Sequence, residues 1–309
     1  MELRSAALKA LLMVDTAAKA AAVRALQAQA SAAQQIMLEP QANLQPQAPL
    51  PGRGARPILV APHAVQRRSP FTLAGRASLL HAVAHIEANA IDLALDAVWR
   101  FAGMPTAYYR DWLQVASEEA LHFTLLAEHL TTLGTTYGDL PAHDGLWAMT
   151  ARTAGDITAR MALVPRTLEA RGLDATPPMQ ARLRQAGDHR AVAILDTILR
   201  DEVGHVAIGN RWYRWLCARD GLDPVAHYAV LATRHGAPVL RPPFNIAARL
   251  AAGFTDAEIA ALDAPPVDVV ASAAGAAGAA GAAGAAGAAA GSTAGATADT
   301  AAGATDLGL

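Results

Sequence analysis

The 309-residue chain has a single cysteine, Cys217. That excludes an intramolecular disulfide and any zinc or iron–sulfur cage built from several thiolates. Aromatic residues make up 5% and charged residues 17%, the latter below the usual quarter. The formal net charge of -2 carries no global basic excess, whereas a protein held to nucleic acid by phosphate neutralisation carries one. A leader-like apolar run is missing: Arg4, Lys9, Asp15 and Lys19 interrupt the start. The longest uncharged stretch, 269–298, is Ala and Gly with a few Ser and Thr, far less apolar than a membrane span. A soluble, cytoplasmic chain with no membrane partner is therefore expected. No G-x-S-x-G, G-x-x-x-x-G-K-[ST] or G-x-G-x-x-G occurs, so neither an elbow nucleophile nor a phosphate loop is indicated.

What is present is mostly helix-forming. Hydrophobic residues reach 53%, but alanine supplies most of them, and alanine favours helix while burying little surface. No stretch alternates with the period of a strand, so the expected fold class is all-α. Residues 1–35 read as an Ala-rich helix or helix pair. Residues 36–71 contain QPQAPLPGRGARPILVAPHAVQRRS, whose prolines forbid helix and imply an extended arm laid over something else. Residues 72–262 carry long helical periods. Residues 263–309 decay into Gly-Ala-Ala triplets without collagen's proline, and composition alone predicts a disordered tail.

The helical stretch places acids where apolar residues belong. On a helical wheel, Leu80, Val83, Ala84, Ile91, Ala94, Leu95 and Val98 fall within about 80° of Glu87. His81, His85, Asn89, Asp92, Asp96 and Arg100 lie on the other side and are expected to face out. An isolated carboxylate on an apolar stripe costs several kcal/mol or shifts its pKa strongly, so Glu87 needs a partner. Glu119 shares its stripe with Trp112, Val115, Ala116, Phe123 and Leu126, and His122 follows one turn later. Glu118 points sideways. Glu202 and His205 repeat the E-x-x-H on a stripe of Ala191, Leu195, Ile198, Leu199, Val206 and Tyr213, with Asp201 pointing sideways. This spacing lets a carboxylate and an imidazole converge on one ion from a single helix.

The motifs also share a longer spacing. Glu87 precedes Glu119 by 32 residues, and Glu169 precedes Glu202 by 33. Two helix pairs with the same layout are the arrangement of a four-helix bundle with a di-metal carboxylate centre. The predicted metal set is Glu87, Glu119, His122, Glu169, Glu202 and His205. Glu169 has the weakest case: Pro165 should kink or restart its helix, read as Trp147 to Gly172, and Arg166 offers a plain ion-pair alternative. Four carboxylates balance two divalent cations, leaving a near-neutral interior. Oxygen-rich ligands with one imidazole per metal put iron first, manganese or a mixed manganese–iron pair next, and zinc last. Asp201 and Glu118 are read as solvated, with a supporting role behind the histidines as the alternative.

The segments HIEANAIDLALDAVW, SEEALHF and LRDEVGHVAIGNRWYRWLC resemble an uncharacterised bacterial ferritin-like family known only as a domain of unknown function. RPILVAPHAVQRRSP resembles the segment before its bundle, so the likeness covers about residues 1–262 and leaves out the Gly-Ala tail. The resemblance implies a ferritin-like bundle with the six residues above at metal-ligand positions. In architecture it is similar to the di-iron hydroxylase that modifies isopentenylated adenosine in transfer RNA.

The leading expectation is a di-iron, or mixed manganese–iron, oxidoreductase. It would activate O2 or peroxide on a small-molecule substrate, with an external electron donor. A metal-handling protein for ferroxidase, storage or buffering is the second reading; the arm and tail would obstruct packing into a shell and allow a homodimer. Transfer-RNA hydroxylation by analogy is the third, favoured only by Arg67–Arg68 and by Arg182, Arg184 and Arg190. Hydrolysis by zinc-activated water stays open. Tyr213 is read as core with its hydroxyl bonded, and Trp212, Trp215 and Cys217 as packing.

Overall fold

The structure is a computed structural model in which residues 2–32, 37–65 and 68–263 are described. The disorder expected of the tail and the side chain of Arg67 lie outside those residues. Among them the chain is all-α, and its one β-type contact is an isolated bridge between Leu59 and Ala142. Among the described residues no helix is long and apolar enough to cross a membrane.

The N-terminal stretch forms two helices, α1 (Leu3–Leu11) and α2 (Thr16–Ala32). Two long helices follow the arm: α3 (Leu73–Arg100) and α4 (Thr106–Thr132). The Thr72 hydroxyl caps α3 by accepting from Gly75 N–H at 3.0 Å. At its other end Gly103 takes φ 75°, a left-handed turn that lets α4 fold back along α3. Next come α5 (Gly145–Arg152), α6 (Ile157–Leu163), a π-helical turn (Val164–Glu169) and α7 (Ala170–Gln185). Helix α8 (His189–Arg219) is capped by Asp188, and α9 (Pro224–His235), α10 (Ile246–Ala251) and α11 (Asp256–Asp263) close the chain. α4 and α7 pack on α8, while α1 lies on α3 and α2 on α4.

Two expectations about this frame need correction. The polar side of α3 does not face water: His81, His85, Asn89, Asp92 and Asp96 are all buried. The N-terminal helices, the arm and α6 cover that side and supply partners. Lys19 Nζ reaches Asp92 at 2.5 Å, Arg160 and Arg100 hold Asp96 at 2.5 and 2.6 Å, and Arg53 donates to Asn89 at 2.6 Å. A helical wheel separates apolar from polar neighbours but not solvent from a polar interface.

The predicted helix from Trp147 to Gly172 is instead broken twice. It stops at Arg152 and restarts at Ile157, where Asp156 caps α6 by accepting from Ala159 N–H at 2.9 Å. It then widens into the π turn at Val164–Pro165. Proline has no N–H to donate and crowds the preceding turn, and a π bulge absorbs both effects. A continuous helix would put Ala151, five turns before Glu169, on the Glu169 face; in the broken one it is exposed. Within the segment before α3, Gly52 N–H donates to Leu11 O at 2.9 Å, and Arg53 binds Asp144 at 2.7 Å.

Candidate metal centre

The four elements α3, α4, the π turn and α8 bring the predicted acids and imidazoles to one place. Glu119 and His122 lie on α4, Glu202 and His205 on α8, Glu87 on α3, and Glu169 is the last residue of the π turn. All six are buried. Glu119 is central. Its Oε2 lies 3.2 Å from His122 Nδ1 and its Oε1 lies 2.9 Å from His205 Nδ1. Glu87 Oε2 approaches His122 Nδ1 at 3.3 Å, and Glu202 Oε2 approaches His205 Nδ1 at 3.8 Å.

Two groups of three therefore share Glu119: Glu87–Glu119–His122 and Glu119–Glu202–His205. In each, the ligand atoms lie within 4.8 Å of one another, so each can hold a metal ion. Glu169 belongs to neither group. It faces the same cavity as Glu87 and Glu202, about 110 Å3 in volume, and neither of its oxygens has a hydrogen bond. Arg166 is not its partner. The guanidinium turns to Glu258 Oε1 at 2.6 Å and Asn210 Oδ1 at 2.8 Å, so the ion-pair alternative for Glu169 does not hold.

The far sides of the two imidazoles are engaged as well. His122 Nε2 meets Asp201 Oδ2 at 3.1 Å, and His205 Nε2 meets Glu118 Oε2 at 2.7 Å. Because α4 and α8 run antiparallel here, the acid preceding each E-x-x-H reaches across to the other helix's histidine. Glu118 and Asp201 were read as solvated, and that is corrected. The signal that could have found them is the repeated acid-E-x-x-H, as Glu118-Glu119…His122 and Asp201-Glu202…His205.

Electrostatics follow from burial. Desolvation, with the Glu119 charge behind it, raises Glu87 and Glu169 to about 8. Desolvation also raises Glu202 well above the usual carboxylate range, again with Glu119 adding. Glu119 feels the same desolvation, but His205 and His122 outweigh it and hold its carboxyl down. The two histidines are desolvated too, yet Asp201 with Glu119 and Glu87, and Glu119 with Glu118, push them well above the ordinary imidazole value. Protonation thus removes negative charge from the raised glutamates and makes the two imidazoles the cationic partners of Glu119.

This donor set fits a divalent cation. Unpaired oxygens remain on Glu87, Glu169 and Glu202, and buried polar atoms without partners are rare enough to need a reason. Oxygen donors with neutral imidazole nitrogens and no thiolate suit iron, manganese or zinc. Tyr213, by contrast, donates to Pro224 O at 2.7 Å, as a core tyrosine does, and Trp212 Nε1 donates to Asp111 at 2.8 Å.

Fold and site together define an all-helical protein with a buried carboxylate–histidine cluster able to hold metal. Residues 12–260 match the model of a family described as a protein of unknown function (DUF455), and the chain belongs to that family. It is also similar to an uncharacterized protein of Haemophilus influenzae, 50% identical over 233 residues, covering 73% of this chain and 81% of the relative. No solved structure matches.

Proposed function

We propose that the cluster binds two divalent metal ions, iron before manganese, a mixed pair or zinc. In this reading the protein is a ferritin-like di-metal carboxylate oxidoreductase that activates O2 or peroxide on an organic substrate, with an external electron donor. One observation carries the reading. Six buried ligand-type side chains converge, each of the four carboxylates keeps at least one oxygen without a hydrogen bond, and three of them line a cavity. Four carboxylates would offset the charge of two divalent ions.

When bound, such a pair supplies redox and Lewis-acid chemistry to a small oxidant. The chain's own residues set the conditions for it. His122 and His205 present Nδ1 inward because Asp201 and Glu118 hold Nε2, which fixes each ring's orientation and tautomer. Glu119 offers one oxygen to each side. Glu87, Glu169 and Glu202 line the cavity, where aliphatic side chains such as Leu195 and Ile198 exclude bulk water. A cavity against the carboxylates favours turnover of an organic molecule over storage.

Metal analysis of protein purified without added metal should find about two ions per chain, lost in Glu119→Ala. The reduced protein given Fe(II) and then O2 should consume O2 beyond a Glu202→Ala control. Correctly folded protein with less than about one ion per chain would overturn the proposal.

A further inference from the structure

A second, larger cavity of about 370 Å3 adjoins the one at the carboxylates. Both are lined by Ile86, His143, Leu146 and Met179, so these half-buried residues form the wall between them. The chambers differ in chemistry. Three glutamates and Arg171 line the inner one, and the rest of its lining is mainly aliphatic. Arg68, Arg182, His85 and His143 line the outer one, with no carboxylate among its lining residues.

Two of these groups stand ready for a ligand. His85 is 5% exposed, its Nδ1 is engaged by Tyr137 Oη at 2.9 Å, and its buried Nε2 has no partner. Arg182 is exposed on α7, and no ion pair or side-chain hydrogen bond ties it among the described residues. In the dividing wall, His143 Nδ1 accepts from Gly145 N–H at 3.3 Å, which leaves Nε2 to carry the ring proton.

We infer that the two chambers together bind an organic anion with a short aliphatic arm. The anionic group rests in the outer cavity against Arg182 and His85, and the arm passes Met179 and Leu146 to the carboxylates. This rests on the metal reading for what happens next, but not for the binding itself. The orientation is set by the outer cations: Arg68 and Arg182 share their chamber with no carboxylate, whereas Arg171 shares the inner one with three glutamates. The inner volume of about 110 Å3 is smaller than the roughly 150 Å3 apolar cavity that accepts benzene. It therefore takes a few aliphatic carbons and excludes a substituted ring.

Calorimetric titration of the full chain, its metal content measured on the same sample, tests this. The probes are hexanoate, hexyl phosphate, hexylamine and 1-hexanol. One or both anions should bind at least about tenfold tighter than the amine and the alcohol, and the tighter anion identifies the headgroup. Arg182→Glu, at an exposed position that leaves the fold intact, should weaken the anion by about tenfold or more. Met179→Trp should abolish its binding while metal content stays unchanged; Leu146→Phe repeats that test should the first variant misfold. Equal binding of hexylamine, or indifference to Arg182→Glu, overturns the inference. Protein that carries metal yet binds neither anion refutes the cavity assignment alone. Protein that binds hexanoate with these dependences but carries no metal supports it and refutes the metal reading.

Discussion

Glu258→Ala probes how the π turn is held in place. From that turn Arg166 enters a ring of Tyr213, Tyr228 and Phe254, with its guanidinium carbon 4.8, 5.2 and 5.1 Å from their centroids. Its only carboxylate partner among the described residues is Glu258, at 2.6 Å, and both side chains are 4% exposed. Removing one member of a buried ion pair costs about 3–5 kcal/mol because the other charge is left uncompensated. Three aromatic faces return about 1–2 kcal/mol of cation–π attraction, which places the loss near the lower bound, about 3 kcal/mol. For a helical domain of this size that is a fall in Tm of roughly 6–12 °C. Arg166→Met should cost less, because Glu258 keeps Arg214 at 2.6 Å and the Thr255 N–H and hydroxyl at 2.8 and 3.0 Å. The sharper expectation is a sign: the double variant should be more stable than Glu258→Ala alone, since no buried charge remains. Urea unfolding of the four proteins measures the cycle. A double variant less stable than Glu258→Ala, or a single variant within about 0.5 kcal/mol of wild type, would refute the reasoning.

Further outcomes can be checked alongside. Metal-free protein should lose stability as pH rises from about 5 to 9. Glu87 and Glu169, raised to about 8, and the two raised histidines bind more protons folded than unfolded, so their contribution is full at low pH and disappears through the folded values; thermal melts in chelator across this range would show it, and a rising Tm would contradict it. Metal affinity should instead increase with pH over the same interval, because ligands must release protons to coordinate; direct titration with Mn(II) reads this. Asp201→Asn and Glu118→Gln should each lower metal affinity about 10–100-fold with the fold kept, measured by competition with a chelator. Gly209→Ala should destabilise by about 1–3 kcal/mol, because a Cβ there would stand 2.6 Å from Cβ of Pro165 in the rigid π turn; a neutral effect on urea unfolding would count against that packing.

The stripes on α4 and α8 were legible because each is a long regular helix with one apolar face, so a period of 3.6 puts Glu119, His122, Glu202 and His205 on the inside. Glu87 was legible for the same reason, while the opposite side of α3 was misread. Polar residues such as Asp92 and Asp96 look solvated until the partners that cover them, Lys19 and Arg160, are known from the fold. The break at Thr153–Asp156 and the π turn escaped periodicity because a bulge changes the phase of every later residue, and Pro165 marks the place without saying how the chain adapts. Glu118 and Asp201 were hidden by a different limit: a helical wheel is drawn for one helix, and their partners belong to another.

Each imidazole of the centre is bonded across to the neighbouring helix through Nε2, and its Nδ1 lies within 3.2 Å of a Glu119 oxygen. A ring so gripped has no rotational search left to make when a ligand arrives, because that entropy is already lost in folding. The crossed arrangement also acts as a ruler. Sliding α8 along α4 in either direction would draw Asp201 away from His122 and Glu118 away from His205 in the same movement. A single axial register of the two helices satisfies both, and mutations that only shift that register should be felt at the centre before they are felt in the core.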